Sequence, residues 1–225
     1  MKIAIIVAMS KELALLTPLL NNSSTSQVEG LTFVTGCVGN HQVTAMECGI
    51  GKVNAAIGTL TLINRFNPDL IISTGVAGGA DKSINVMDVV VADKIVYHDV
   101  WCGPGTIPGQ ATGLPLFLCS SPDMAALIPQ SESVKHGLLC SGDIFIDSIE
   151  QVNSIKRNFP EALAVDMESA AIAHVCYRKG VKFFALRIIS DSPGAGHNNA
   201  QQYDDFWADA PKHTFAIVEK LLKLL

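Results

Sequence analysis

Short, unbroken apolar runs recur along this chain, and segments with helical periodicity separate them. Lys2–Ala8, Leu70–Thr74 and Lys182–Ile189 read as buried strands, and their alternation with helices is the pattern of an α/β sandwich. The first strand feeds a helix over residues 10–20 with Ser10 as its N-cap, and the polar stretch 21–30 reads as an exposed loop. Residues 31–38 and 42–48 form a strand pair joined by Gly39-Asn40-His41, a hairpin signal. Strand, helix, then hairpin is not a simple doubly wound order, so the expected fold is a three-layer α/β sandwich around a central mixed β-sheet.

Further along, a helix over 52–66 follows Gly49-Ile50-Gly51, and the strand 70–74 runs into Gly75-Val76-Ala77-Gly78-Gly79. Residues 86–96 and 137–141 read as strands, with a glycine- and proline-rich loop over 101–115 between them. A helix over 149–158, a short strand 162–165 and a helix 168–179 lead to the strand 182–189. A loop over 193–199 and a closing helix to Leu225 complete one domain spanning residues 1–225.

The 225 residues are 48% apolar and 16% charged, enough to bury a substantial core. A net charge of −5 and a pI near 5.6 argue against a nucleic-acid surface and suit a small-molecule ligand. Six scattered cysteines without a C-x-x-C pair read as reduced thiols, not a disulfide framework or a zinc site. The N-terminal apolar run is too short for a signal peptide and Lys11-Glu12 follows it, so a cytoplasmic protein without a membrane partner is expected.

Three carboxylates, Glu12, Glu168 and Asp191, sit at strand ends, where open α/β sheets bind ligands. Each has an ordinary explanation when taken singly: glutamate complements the start of a helix, and aspartate suits a turn. Together they say more. The strands ending at Glu168 and Asp191 are separated by one helix, a unit that usually brings strand ends to one edge of a sheet. Arg187, inside an apolar strand, needs a carboxylate or a ligand as partner. The glycine segments match neither the dinucleotide fingerprint nor a P-loop. His98, Asp99 and Cys102 lack a second ligand cluster, so a hydrogen-bonded loop is expected there, not a metal site. His41, His136, His174 and His213 read as packing or surface residues.

Several segments, in order along most of the chain, resemble the 5'-methylthioadenosine/S-adenosylhomocysteine nucleosidases. They are Ala8-Met9-Ser10-Lys11-Glu12, Gly49-Ile50-Gly51-Lys52, Gly75-Val76-Ala77-Gly78-Gly79, Ser141-Gly142-Asp143-Ile144-Phe145, Ala164-Val165-Asp166-Met167-Glu168 and Arg187-Ile188-Ile189-Ser190-Asp191. The resemblance implies a nucleoside phosphorylase-type fold, a homodimer, a purine nucleoside as ligand, and neither metal nor organic cofactor. It implies that Glu12 activates the attacking water, and that Asp191, held by Ser190, assists protonation of purine N7. Glu168 would hold the ribose hydroxyls beside the loop of Val76, Ala77 and Gly78, and Arg187 would position the water or Glu12. Phe145 would stack on the base, with Ile146 offering backbone contacts. Met9, Ile50 and Met167 would line the sugar and its 5' group, with Tyr203 and Phe206 near the 5'-thio substituent.

That chemistry is coherent. Breaking an N-glycosidic bond builds positive charge on the sugar and negative charge on the purine, so a proton donor near N7 and a carboxylate steering water to C1' each lower the barrier. Two departures from the family bear on the 5' group. Residues 100–110 after Tyr97-His98-Asp99 are unlike the usual loop, and Val76 replaces the usual alcohol. A phosphorylase, a nucleosidase for aminofutalosine or 5'-deoxyadenosine, and a binding protein without turnover are the alternatives. Glu12 would repel phosphate, which favours hydrolysis, and retention of both Glu12 and Asp191 argues against a binder.

Overall fold

The computed structural model describes residues 1–193, 199–209 and 216–225. Its strands are β1 (Lys2–Val7), β2 (Asn21–Val28), β3 (Leu31–Val38), β4 (His41–Glu47), β5 (Leu70–Ser73) and β6 (Val76–Gly79), followed by β7 (Val89–Tyr97), β8 (Leu118–Cys119), β9 (Val134–Ser141), β10 (Ala162–Asp166) and β11 (Lys182–Asp191). The helices are α1 (Ser10–Leu16), α2 (Lys52–Phe66), α3 (Pro122–Ala125), α4 (Ile149–Asn158), α5 (Ser169–Lys179), α6 (Asn199–Asp209) and α7 (Ala216–Leu224).

The strands form one mixed sheet in the order β2-β3-β4-β1-β5-β11-β6-β10-β9-β7-β8. Strands β4, β1, β5 and β11 run parallel, and their apolar residues divide by alternation between two helical layers. Ala4, Ile6, Phe183 and Ala185 pack in a core with residues of α2 and α5, whereas Ile3, Ile5, Phe184 and Leu186 pack in one with α1, α3 and α7. This is the expected three-layer sandwich. It also closes on itself at one end: β7 pairs with both β9 and β11, so β11, β6, β10, β9 and β7 make a ring.

Several elements differ from the sequence reading. Residues 21–28, expected as a loop, are the edge strand β2; nearly all of its side chains are exposed, so no apolar alternation marked it. The first helix stops at Leu16 with a 3₁₀ turn over Thr17–Leu19, because Pro18 cannot donate to an α-helical ladder. Its N-cap is Met9, not Ser10. The glycine segment after β5 is the short strand β6. The strand expected from residue 86 begins at Val89, after a turn in which Met87 adopts φ +76° and Asp88 accepts the Asn85 amide. The closing segment contains two described helices, α6 and α7. Residues 194–198 of the expected loop, and His213, lie outside the described residues.

Candidate active site

The ends of β1, β5, β10 and β11 meet at a cleft. Met9, Glu12, Ile50, Val76, Ala77 and Gly78 line it, as do Phe145, Ile146, Met167, Glu168, Arg187, Ser190, Asp191 and Tyr203. Phe206 is the exception among the candidate residues. Its ring is buried against Ile188 and Trp207, because its side of α6 packs on β11 and not on the cleft.

Glu12 sits in the first turn of α1, only 1% exposed, with its carboxylate turned back toward the chain. One oxygen accepts the Ala8 and Met9 amides, each at 3.0 Å, and the other accepts the Val76 amide at 3.1 Å. The glutamate thus caps its own helix and fastens it to β6. Burial raises its pKa, outweighing Arg187 and the three amides, which act in the opposite direction. Gly75 makes the approach possible. Its φ is +147°, and a Cβ there would lie 2.5 Å from Glu12 Oε1. Gly75→Ala is therefore expected to displace the carboxylate and lower kcat/KM about 100-fold, as steady-state kinetics would register. Activity within threefold of wild type would mean Glu12 is not needed where it stands.

Alternation along β11 turns Arg187 toward the start of α5. Its Nε donates to Asp166 Oδ2 at 2.9 Å, and its Nη2 reaches Ser73 and Ser169 hydroxyls, each at 2.8 Å. Asp166 also accepts from the Ser141 hydroxyl and the Ser169 amide. The arginine's expected carboxylate partner is thus Asp166, a buried and hydrogen-bonded pair. Spacing alone does not single out Asp166 as that partner, since a sequence does not reveal which acid faces which base across a sheet.

Glu168 stands just before α5, and its Oε1 accepts the Gly51 amide at 2.8 Å. Burial, then the Asp166 charge, raises its pKa. Asp191 ends β11, with Ser190 Oγ donating to its Oδ1 at 2.5 Å. The two carboxylates do not meet through a simple strand–helix–strand unit, as the sequence suggested. Strand β6 lies between β10 and β11 and runs antiparallel to β10. They share the cleft because Gly78 pairs with Val165 on one side and Asp191 on the other. The aromatic wall is Phe145, half-exposed, with Tyr203 edge-on at 6.2 Å and the Tyr203 hydroxyl 3.2 Å from Met9 Sδ. Lys11 lies over the Tyr203 and Trp207 rings, at 4.6 and 3.9 Å.

A mixed-sheet α/β sandwich with carboxylates at several strand ends and a half-exposed aromatic ring on the cleft is the arrangement expected of the nucleoside phosphorylase class. The sequence matches the phosphorylase superfamily over residues 2–223. A 5'-methylthioadenosine/S-adenosylhomocysteine nucleosidase of Lysinibacillus sphaericus (strain C3-41) is 38% identical over 234 residues, covering 100% of both chains. The Streptococcus pneumoniae nucleosidase with the transition-state inhibitor MT-ImmA superposes with a TM-score of 0.93 at 36% identity, over 99% of each chain. An Asp-to-Asn mutant of the Helicobacter pylori nucleosidase, with 5'-methylthioadenosine in its active site, gives a TM-score of 0.90 at 27% identity, over 100% of this chain and 99% of that one. This chain belongs to the 5'-methylthioadenosine/S-adenosylhomocysteine nucleosidase family.

Proposed function

We propose that the protein hydrolyses the N-glycosidic bond of 5'-methylthioadenosine and S-adenosylhomocysteine, releasing adenine and the corresponding thioribose. The observation that carries this reading is the pairing, in one cleft, of a buried Glu12 fixed by three backbone amides with an Asp191 held by Ser190. Glu12 takes a proton from water as the water oxygen bonds to C1'. The C1'–N9 bond breaks, and its electrons pass to the purine, where Asp191 delivers a proton at N7. Glu168 accepts the ribose hydroxyls, and Phe145 covers the base.

Hydrolysis is favoured over phosphorolysis by charge. Glu12 and Glu168 line the cleft together, and the Arg187 guanidinium is already engaged by Asp166, leaving a poor seat for phosphate. Incubation with each of the two nucleosides, with adenine and the sugar product measured by mass, tests the substrate assignment. Adenine from neither would refute it.

The same reading includes a homodimer in the cytoplasm. Beside the cleft, α2 exposes Val53, Ile57 and Leu60 at helical spacing, an apolar stripe that a second copy would cover. All six cysteines are free thiols, in keeping with a reducing compartment, and among the described residues no helix is long and apolar enough to cross a membrane. Sedimentation equilibrium is expected to return twice the 23.9 kDa chain mass. A monomer at micromolar concentration would contradict the dimer.

A further inference from the structure

Lys52, Asp99 and Asp143, which the chemistry above leaves unused, lie in three separate segments that converge on one carboxylate oxygen. Asp99 follows β7 and does not line the cleft. Its Oδ2 accepts the Lys52 ammonium at 2.6 Å and the Asp143 backbone amide at 2.8 Å. Lys52 and Asp143 are also joined directly, the Lys52 amide donating to Asp143 Oδ1 at 2.7 Å. These contacts tie together the Gly51-Lys52 turn, the Asp99 loop and the segment that enters Ile144, Phe145 and Ile146.

The two segments held by Asp99 form two adjoining jaws of the cleft. On one, Ile50 lines the cavity and the Gly51 amide holds Glu168 Oε1. On the other, Phe145 stands two residues beyond Asp143. The jaws touch closely at Gly51, which has φ +95° and where a Cβ would come within 3.2 Å of Asp143 Oδ1. An exposed ion pair contributes little. This one is partly shielded, with side-chain exposures of 23% for Lys52 and 15% for Asp99, and it shares its acceptor with a backbone amide. Partial burial pushes the Asp99 pKa up, but the Lys52 ammonium and the Asp143 amide outweigh that and hold the group below its ordinary value.

We propose that Asp99 is a positioning residue that, with Lys52, clasps the ribose-side jaw to the base-side jaw and so sets the cleft's affinity for a purine and its nucleoside. This rests on the purine-nucleoside reading of the site. The clasp touches no reacting atom, so its loss weakens binding more than it slows the chemical step.

Asp99→Asn and Lys52→Met, each in the full chain, test it by calorimetry with adenine and steady-state kinetics with 5'-methylthioadenosine. The adenine dissociation constant and KM are each expected to rise about tenfold, the loss of one charge-assisted hydrogen bond, with kcat changed less than about threefold. The double variant should be no worse than either single one. Lys52→Arg should bring KM back to within about threefold of wild type. A role confined to stability would lower the melting temperature and leave adenine affinity and KM unchanged, and that result in both single variants overturns the clasp. Wild-type protein that neither binds adenine nor releases it would overturn the purine reading and the clasp with it. Normal wild-type turnover with unchanged variants removes the clasp alone.

Discussion

Asp191→Asn is expected to lower kcat about 10²- to 10⁴-fold while leaving the fold and nucleoside affinity nearly intact. Asparagine has the shape of aspartate, and its carbonyl oxygen can still accept the Ser190 hydroxyl that now lies 2.5 Å from Asp191 Oδ1. What it lacks is a transferable proton. The leaving purine must then depart with its negative charge uncompensated, a cost felt in the transition state and not in the bound nucleoside. Kinetics of adenine release, with circular dichroism and a thermal melt as controls, measure both parts. A folded variant retaining a tenth or more of wild-type kcat would take Asp191 out of the reaction.

Glu12→Gln is expected to lower kcat/KM by a similar factor, and here stability changes too. Glutamine can keep one oxygen toward the Ala8 and Met9 amides, but its NH₂ group then faces the Val76 amide, donor against donor. Losing that bond at a buried site costs about 1–3 kcal/mol. The pH dependence follows from the raised pKa of Glu12. Between the ordinary value of 4.5 and the raised folded value, the folded protein holds a proton that the unfolded chain has released. Its contribution to stability is therefore complete below 4.5 and is lost as pH rises through the folded value. Catalysis runs the other way, because the base must be ionised. The acid limb of kcat/KM should lie above the ordinary carboxylate range, and Glu12→Gln should remove both that limb and its part of the stability slope. An acid limb at 4.5 or below would mean that Glu12 is not held as the structure has it.

Much of this was legible in the chain, for reasons that differ from residue to residue. Helix α2 and helix α4 follow from periodicity and were expected at their observed ends. The buried strands β1, β5 and β11 follow from apolar runs. Arg187 announced a buried partner simply by its cost in an apolar strand, and Asp166 supplies it. Other features depend on tertiary context. Strand β2 is exposed along its length, so its pairing with β3 left no hydrophobic trace. Strand β6 is half glycine, and it exists because β10 and β11 flank it. Phe206 follows Tyr203 by three positions, yet only Tyr203 lines the cleft, since α6 turns Phe206 onto Ile188. Nothing in the spacing reveals which side of α6 meets β11. The Asp99 contacts needed three distant segments folded together before they had a meaning.

In the proposed reaction water, not phosphate, is the acceptor of the thioribosyl group. Adenine release from 5'-methylthioadenosine, measured in phosphate-free buffer and again with phosphate added, tests it directly, with the sugar product identified in each case. Equal rates and free methylthioribose are expected in both. Release that requires phosphate and yields a sugar 1-phosphate would contradict it, and would mean that the cleft admits an anion beside Glu12 and Glu168.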